Sequence, residues 1–185
     1  FGIDHYGVEP DIMTLAKGIT CGYVPLGAAI TNEKIARHFD DKQLWCGLTY
    51  SSHPLACATA TACMKVYQED NLIENAAKMG KVLEAGLNKL KEKHPCVGDV
   101  RGIGLFWLLE LVKNRETKEP MNGFNKPASE PMAKVAARLK ELGMSTFVRW
   151  DWVFAVPPLC ITQEELQEGL DMIDDALSLA DPYCE

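Results

Sequence analysis

No stretch of this sequence approaches the ~20 consecutive apolar residues that a bilayer-spanning helix needs, and no C-x-x-C pair occurs. The first absence argues against a membrane helix, the second against a zinc knuckle or a dithiol redox centre. Basic clusters are missing too. The 19 Lys and Arg are scattered among 26 Asp and Glu, giving a net charge of −7, the wrong balance for a nucleic-acid surface. Repeats and low-complexity tracts are absent, and 47% hydrophobic residues is ordinary for a folded soluble domain. The cysteines (Cys21, Cys46, Cys57, Cys63, Cys96, Cys160, Cys184) are odd in number and lack ligand spacing, so neither a metal site nor a disulfide framework is expected. A reducing, cytoplasmic compartment fits them best. The sequence opens on Phe1, its first methionine is Met13, and no signal peptide precedes the first strand-like run; the chain is expected to be part of a longer protein.

What is present centres on Asp11-Ile12-Met13-Thr14-Leu15-Ala16-Lys17-Gly18, a short apolar strand with one amine at its exit. A strand's period of two puts Met13, Leu15 and Lys17 on one face. A lysine held in an apolar wall is desolvated, which favours the neutral amine, and a neutral amine attacks carbonyls to give a Schiff base. A solvated lysine at a strand end is the ordinary alternative.

Downstream, Gly18, Gly22 and Gly27 with Pro25 call for tight turns, and Ala28 to Ile30 resumes as a strand. Thr31-Asn32-Glu33 can open a short helix through Phe39. Thr49-Tyr50-Ser51-Ser52-His53-Pro54 then runs into an Ala- and Cys-rich helix, with proline near its first position. Such a helix start favours an anion, phosphate included, although hydroxyls there often serve only as caps. Leu72, Ala76, Met79, Leu83, Leu87 and Leu90 recur at helical spacing up to Lys93, and His94-Pro95 ends that helix. Strand material follows at 97–101 and 104–112, the second run so apolar that it reads as covered on both faces or as a pair with a turn. Residues 114–131 read as a polar, mobile loop with three prolines. A helix from Met132 to Leu142 is stopped by Gly143, strands are expected at 145–149 and 152–156, and Thr162-Gln163-Glu164-Glu165 is a capping box opening the last helix. These patterns divide the chain into residues 1–71 and a small α+β domain, 72–185, with helices on one face of an antiparallel sheet.

Five linked motifs carry a family resemblance. Pro10-Asp11-Ile12 through Lys17-Gly18, Gly22-Tyr23-Val24-Pro25-Leu26-Gly27-Ala28, Thr49 to Pro54 and Arg101-Gly102-Ile103-Gly104-Leu105 are followed in order by Arg149 and Pro157-Pro158-Leu159. Together they resemble the class III (omega-amino-acid) aminotransferases over nearly the whole chain. The resemblance implies an α/β fold-type-I fragment: residues 1–71 as the C-terminal part of a large, parallel-sheet domain that binds pyridoxal 5'-phosphate, and 72–185 as the small domain. It implies that Lys17 forms the internal aldimine and shuttles a proton, that Thr49 bonds the cofactor phosphate held mainly by a neighbouring subunit, and that Arg149 takes a substrate carboxylate. A homodimer or higher homo-oligomer follows from the shared phosphate. Tyr50 and the Ser51-Ser52-His53 run would support that loop, and Arg101 would be structural.

The implied reaction is transamination from an amine or omega-amino acid to an oxo acid, pyruvate or 2-oxoglutarate, and the residues around Lys17 resemble those of the taurine- or β-alanine-to-pyruvate branch. Racemases, aminomutases and a decarboxylase of the same fold share such lysines and threonines, and a truncated chain that only mediates subunit contacts is the non-enzymatic alternative. The family's acidic partner of the pyridinium nitrogen, its glycine/serine phosphate loop and its ring-stacking aromatic would all lie before Phe1. Without the acidic partner the ring is a poor electron sink. Mixing the 185-residue chain with pyridoxal phosphate is therefore expected to give no tight stoichiometric adduct. Absorbance titration and borohydride trapping at Lys17 check this, and a one-to-one adduct would contradict it.

Overall fold

The computed structural model describes Phe1–Glu185, and the chain divides into two units, Phe1–Asp70 and Asn71–Glu185. The division falls at Asn71, whose φ of 51° is left-handed, a conformation asparagine tolerates better than most residues. No helix is long and apolar enough to cross a membrane.

In the first unit, β1 (Ile12–Leu15) and β2 (Ala28–Thr31) pair antiparallel, with Ile12 opposite Thr31 and Leu15 opposite Ala28. The two strands this chain contributes here are thus antiparallel to each other. A parallel pair needs a crossover, usually helical, whereas the glycine-rich connection winds back on itself. Asn32 caps α1 (Glu33–Ala36), its side chain accepting from the Ile35 N–H at 3.1 Å. The helix α2 (Pro54–Glu69) buries only Ala56 and Ala60, leaving Leu55, Met64 and Val66 exposed. Ile12 and Ile30 on the strands are exposed as well.

The second unit holds a sheet in the order β3 (Val97–Ile103), β4 (Phe106–Asn114), β7 (Trp152–Ala155), β6 (Val148–Arg149), all antiparallel, with β5 (Glu119–Pro120) also on β4. Three helices, α3 (Leu72–Lys93), α4 (Glu130–Glu141) and α5 (Gln163–Leu177), supply one apolar face each. Leu83 and Leu87 of α3, Val135 and Leu139 of α4, and Leu170 and Ile173 of α5 join Trp107, Leu109, Leu111 and Val153 in one core. The expected run over 104–112 resolves into a turn at Gly104-Leu105 and a single strand whose Trp107, Leu109 and Leu111 are buried while Phe106 is 57% exposed, with Val112 also buried where β5 pairs beside it. A close approach explains Gly80: a Cβ there would lie 2.7 Å from the carbonyl carbon of Gly104, so the helix can lie against that turn only without a side chain.

Residues 114–131 are more anchored than their composition suggested. Met121 and Asn122 are buried, the Ser129 N–H donates to Asn122 Oδ1 at 2.7 Å, and the Ser129 hydroxyl donates to the Met121 carbonyl at 2.9 Å. An apolar side chain at Met121 gives the segment its hold on the core, which a count of prolines does not register. The capping box at Thr162 forms in full: Glu165 N–H to Thr162 Oγ1 at 3.2 Å, Thr162 N–H to Glu165 Oε2 at 2.9 Å. Where α3 ends, the buried His94 ring sits 2.7 Å from Asp181 through Nδ1 and 2.7 Å from Asp174 through Nε2, tying the helix end to α5 and the C-terminal turn.

These contacts rank by size. Leu87→Ala should destabilise the second unit by about 2–5 kcal/mol, a core deletion, and Thr162→Ala by about 1 kcal/mol, a lost cap; denaturant titration of the purified chain measures both. Burial alone would raise the Asp174 carboxyl, but hydrogen bonds from Lys93 and His94 outweigh it and hold the group below its ordinary value of 3.8. A depressed folded-state value means stabilisation fully present above 3.8 and lost as pH falls through the lower folded-state value. The thermal midpoint should therefore fall with acidification below that point, less steeply in Asp174→Asn.

Candidate active site

Lys17 departs from the expected apolar wall. The strand alternation stops at Leu15, Ala16 is fully extended, and Lys17 turns the chain with a left-handed φ of 55°, starting a 3-10 turn through Ile19. Its side chain is exposed and makes no hydrogen bond or ion pair in the chain. The loop behind it is well built. Thr20 is buried and donates its hydroxyl to the Val24 carbonyl at 2.6 Å, while its N–H reaches the Lys17 carbonyl at 3.2 Å. Gly22 supplies a φ of 78°, and Tyr67 of α2 donates to the Gly18 carbonyl at 3.5 Å. A bulky residue with positive φ is strained and persists only where its surroundings hold it. Here the turn hydrogen bonds and Thr20 do so.

Thr49 is also exposed, and its hydroxyl has no partner in the chain. It lies within a tight turn in which Ser51 N–H donates to the Leu48 carbonyl at 2.9 Å and the Ser51 hydroxyl accepts from Leu48 N–H at 3.3 Å. The Ser51 hydroxyl closes the turn, and no side chain caps α2, whose first residue is Pro54. The amide end of α2 is thus open to an anion. No hydrogen bond joins Lys17 to Thr49.

Arg149 lies in the second unit, on the outer face of the sheet. The register fixes this: Arg149 pairs with Trp152, Trp152 with Glu110, and Glu110 alternates with the buried Leu109 and Leu111. Four of the five arginines are occupied. Arg37 pairs with Glu33, Arg101 with Asp99 and Glu110, and Arg138 with Asp175 and Glu141, while Arg115 donates to the carbonyls of Val97, His94 and Lys91. Arg149 makes no hydrogen bond or ion pair, and its guanidinium carbon lies 4.4 Å from the Trp150 ring centroid. A planar fork with all donors free suits a bidentate carboxylate.

Next to Arg149, Trp150 has a φ of 55°, in a turn whose geometry composition does not encode. No cluster of side chains suited to a metal ion is present.

A family model described as aminotransferase class-III matches residues 1–177. A curated adenosylmethionine-8-amino-7-oxononanoate aminotransferase of Methanocaldococcus jannaschii is 38% identical over 178 residues, 94% of this chain and 38% of the relative. The taurine–pyruvate aminotransferase of Bilophila wadsworthia is 36% identical over 185 residues, 96% of this chain and 41% of that protein. Among solved structures, a taurine:2-oxoglutarate aminotransferase from Bifidobacterium kashiwanohense, in complex with PLP and glutamate, superposes with a TM-score of 0.90 at 43% identity, covering 98% of this chain and 41% of that one. The chain therefore spans about two-fifths of the length of the relatives it matches. A family model over residues 1–177, together with relatives aligned along the run from Lys17 through Thr49 to Arg149, leads to one conclusion: this chain belongs to the class-III aminotransferases.

Proposed function

We propose that the full-length protein containing this chain is a pyridoxal-phosphate-dependent aminotransferase that moves an amino group from an omega-amino donor to an oxo acid. The observation that carries the reading is Lys17, an exposed amine without an ion-pair partner, presented at a strained turn that Thr20 and the loop hydrogen bonds hold in place. Two places in the chain fit the cofactor: at Lys17 a free amine for the aldehyde, and, serving the cofactor of a neighbouring subunit, Thr49 with the uncapped start of α2, a hydroxyl and amide end suited to a phosphate. When bound, the cofactor supplies an electron sink for charge developing on the carbon next to the donor nitrogen. Lys17 would hold it covalently and, once displaced by the donor amine, its Nζ would carry a proton to and from that carbon. Thr49 would bond the phosphate across a subunit boundary, so the working form is a homodimer or larger homo-oligomer.

Arg149 would take the acceptor's carboxylate, its freedom from other partners supporting this role. Pyruvate and 2-oxoglutarate are the acceptors favoured by the names of similar proteins, and taurine the donor. A reducing, cytoplasmic setting is supported by the seven cysteines, all free.

In the full-length enzyme, Lys17→Met should lower turnover by roughly a thousandfold or more and abolish borohydride fixation of the cofactor, read by protein mass. Unchanged turnover would overturn the proposal. Arg149→Ala should raise the KM for the oxo acid by roughly ten- to a hundredfold, the loss of a charged bidentate contact, in steady-state assays with varied acceptor.

A further inference from the structure

Resting on the reading of Arg149 as the acceptor-carboxylate residue, we propose that Trp150 is its positioning residue, a braced aromatic platform that holds the guanidinium with its donor edges free for substrate. Three observations support this. The Arg149 guanidinium carbon lies 4.4 Å from the Trp150 ring centroid, within reach of a cation–π contact. A cation–π contact of this kind, made without a hydrogen bond, consumes none of the five guanidinium N–H donors. An ion pair would fix the side chain equally well but would compete with the incoming carboxylate.

The platform is itself held. Phe124 packs on the Trp150 ring at 4.3 Å between centroids, and Trp152 meets it edge-on at 4.8 Å. Trp152 is in turn 6.4 Å from Phe154 on the same sheet face. An exposed arginine otherwise samples many rotamers, and ordering it on binding would weaken the acceptor. A ring fixed from two sides removes part of that loss beforehand.

The backbone supports the same reading. Trp150 occupies a left-handed φ of 55° in the tight turn between β6 and β7, a position where glycine or asparagine would be at ease and a bulky side chain is strained. Tolerating that strain keeps an indole directly after Arg149. Strain of this kind collects at sites where it serves a geometry.

The test uses the full-length, cofactor-loaded enzyme carrying Trp150→Phe or Trp150→Leu, with Arg149→Ala as the reference. Steady-state kinetics with varied oxo acid give KM and kcat. Calorimetric titration with propionate or glutarate, unreactive analogues of pyruvate and 2-oxoglutarate, gives binding without turnover. Trp150→Leu keeps apolar bulk but lacks a π face; it should raise the acceptor KM and the analogue Kd together by about three- to tenfold, with kcat at saturation within about twofold. Trp150→Phe, which restores a π face, should recover most of that loss. If Trp150→Leu binds the analogue as wild type does while Arg149→Ala does not, the platform is refuted and the role of Arg149 stands. If Trp150→Phe is as impaired as Trp150→Leu, ring stacking is refuted in favour of shape alone. If Arg149→Ala itself leaves KM and Kd unchanged, both readings fall.

Discussion

The alternation of β4 is the constraint on which the second unit depends. Trp107, Leu109 and Leu111 enter the core formed with α3, α4 and α5, and this obliges Phe106, Leu108 and Glu110 to face the other way. Antiparallel pairing carries that parity across the sheet. Leu108 lies opposite Phe154, Glu110 opposite Trp152, and Trp152 opposite Arg149, so the arginine emerges on the face the helices leave open. A slip of one residue between β6 and β7 would reverse this and drive a charged guanidinium toward the core, at a cost that burial of an unpaired charge makes prohibitive. The hydrophobic core therefore does more than stabilise. It assigns a side to a residue that takes no part in it.

The two units use their sequence differently. In the second, three amphipathic helices and one sheet enclose a continuous core, and its buried polar groups are met: His94 by two aspartates, Asn122 by the Ser129 amide. The first unit buries few side chains, Ala56, Ala60 and Thr20 among them, and its order comes from turns, caps and a short strand pair. On α2, Leu55, Met64 and Val66 remain exposed.

Both units place a bulky residue at positive φ beside the chemistry assigned to them, Lys17 in one and Trp150 in the other, each at 55°. At Lys17 the turn takes the amine out of the strand's apolar face and presents it at the loop. At Trp150 it sets an indole against the neighbouring guanidinium. Each is held from outside, by Thr20 and the loop hydrogen bonds in the first case and by Phe124 and Trp152 in the second.

The sequence by itself determined the elements whose signals are local. Leucines at helical spacing marked α3 from Leu72 to Lys93, and Thr162 with Glu165 marked the start of α5, because helix periodicity and capping depend on residues three and four apart. The candidate residues Lys17, Thr49 and Arg149 were likewise legible, through motifs in a fixed order. Tertiary structure alone decided the surroundings of these residues. It moved Lys17 from an apolar wall to an exposed turn, anchored residues 114–131 through Met121, and brought Phe124 against Trp150. The sign of a φ angle at a bulky residue, and the partner of a ring far along the chain, are set by which distant surfaces pack together, and no window of neighbouring residues contains that information.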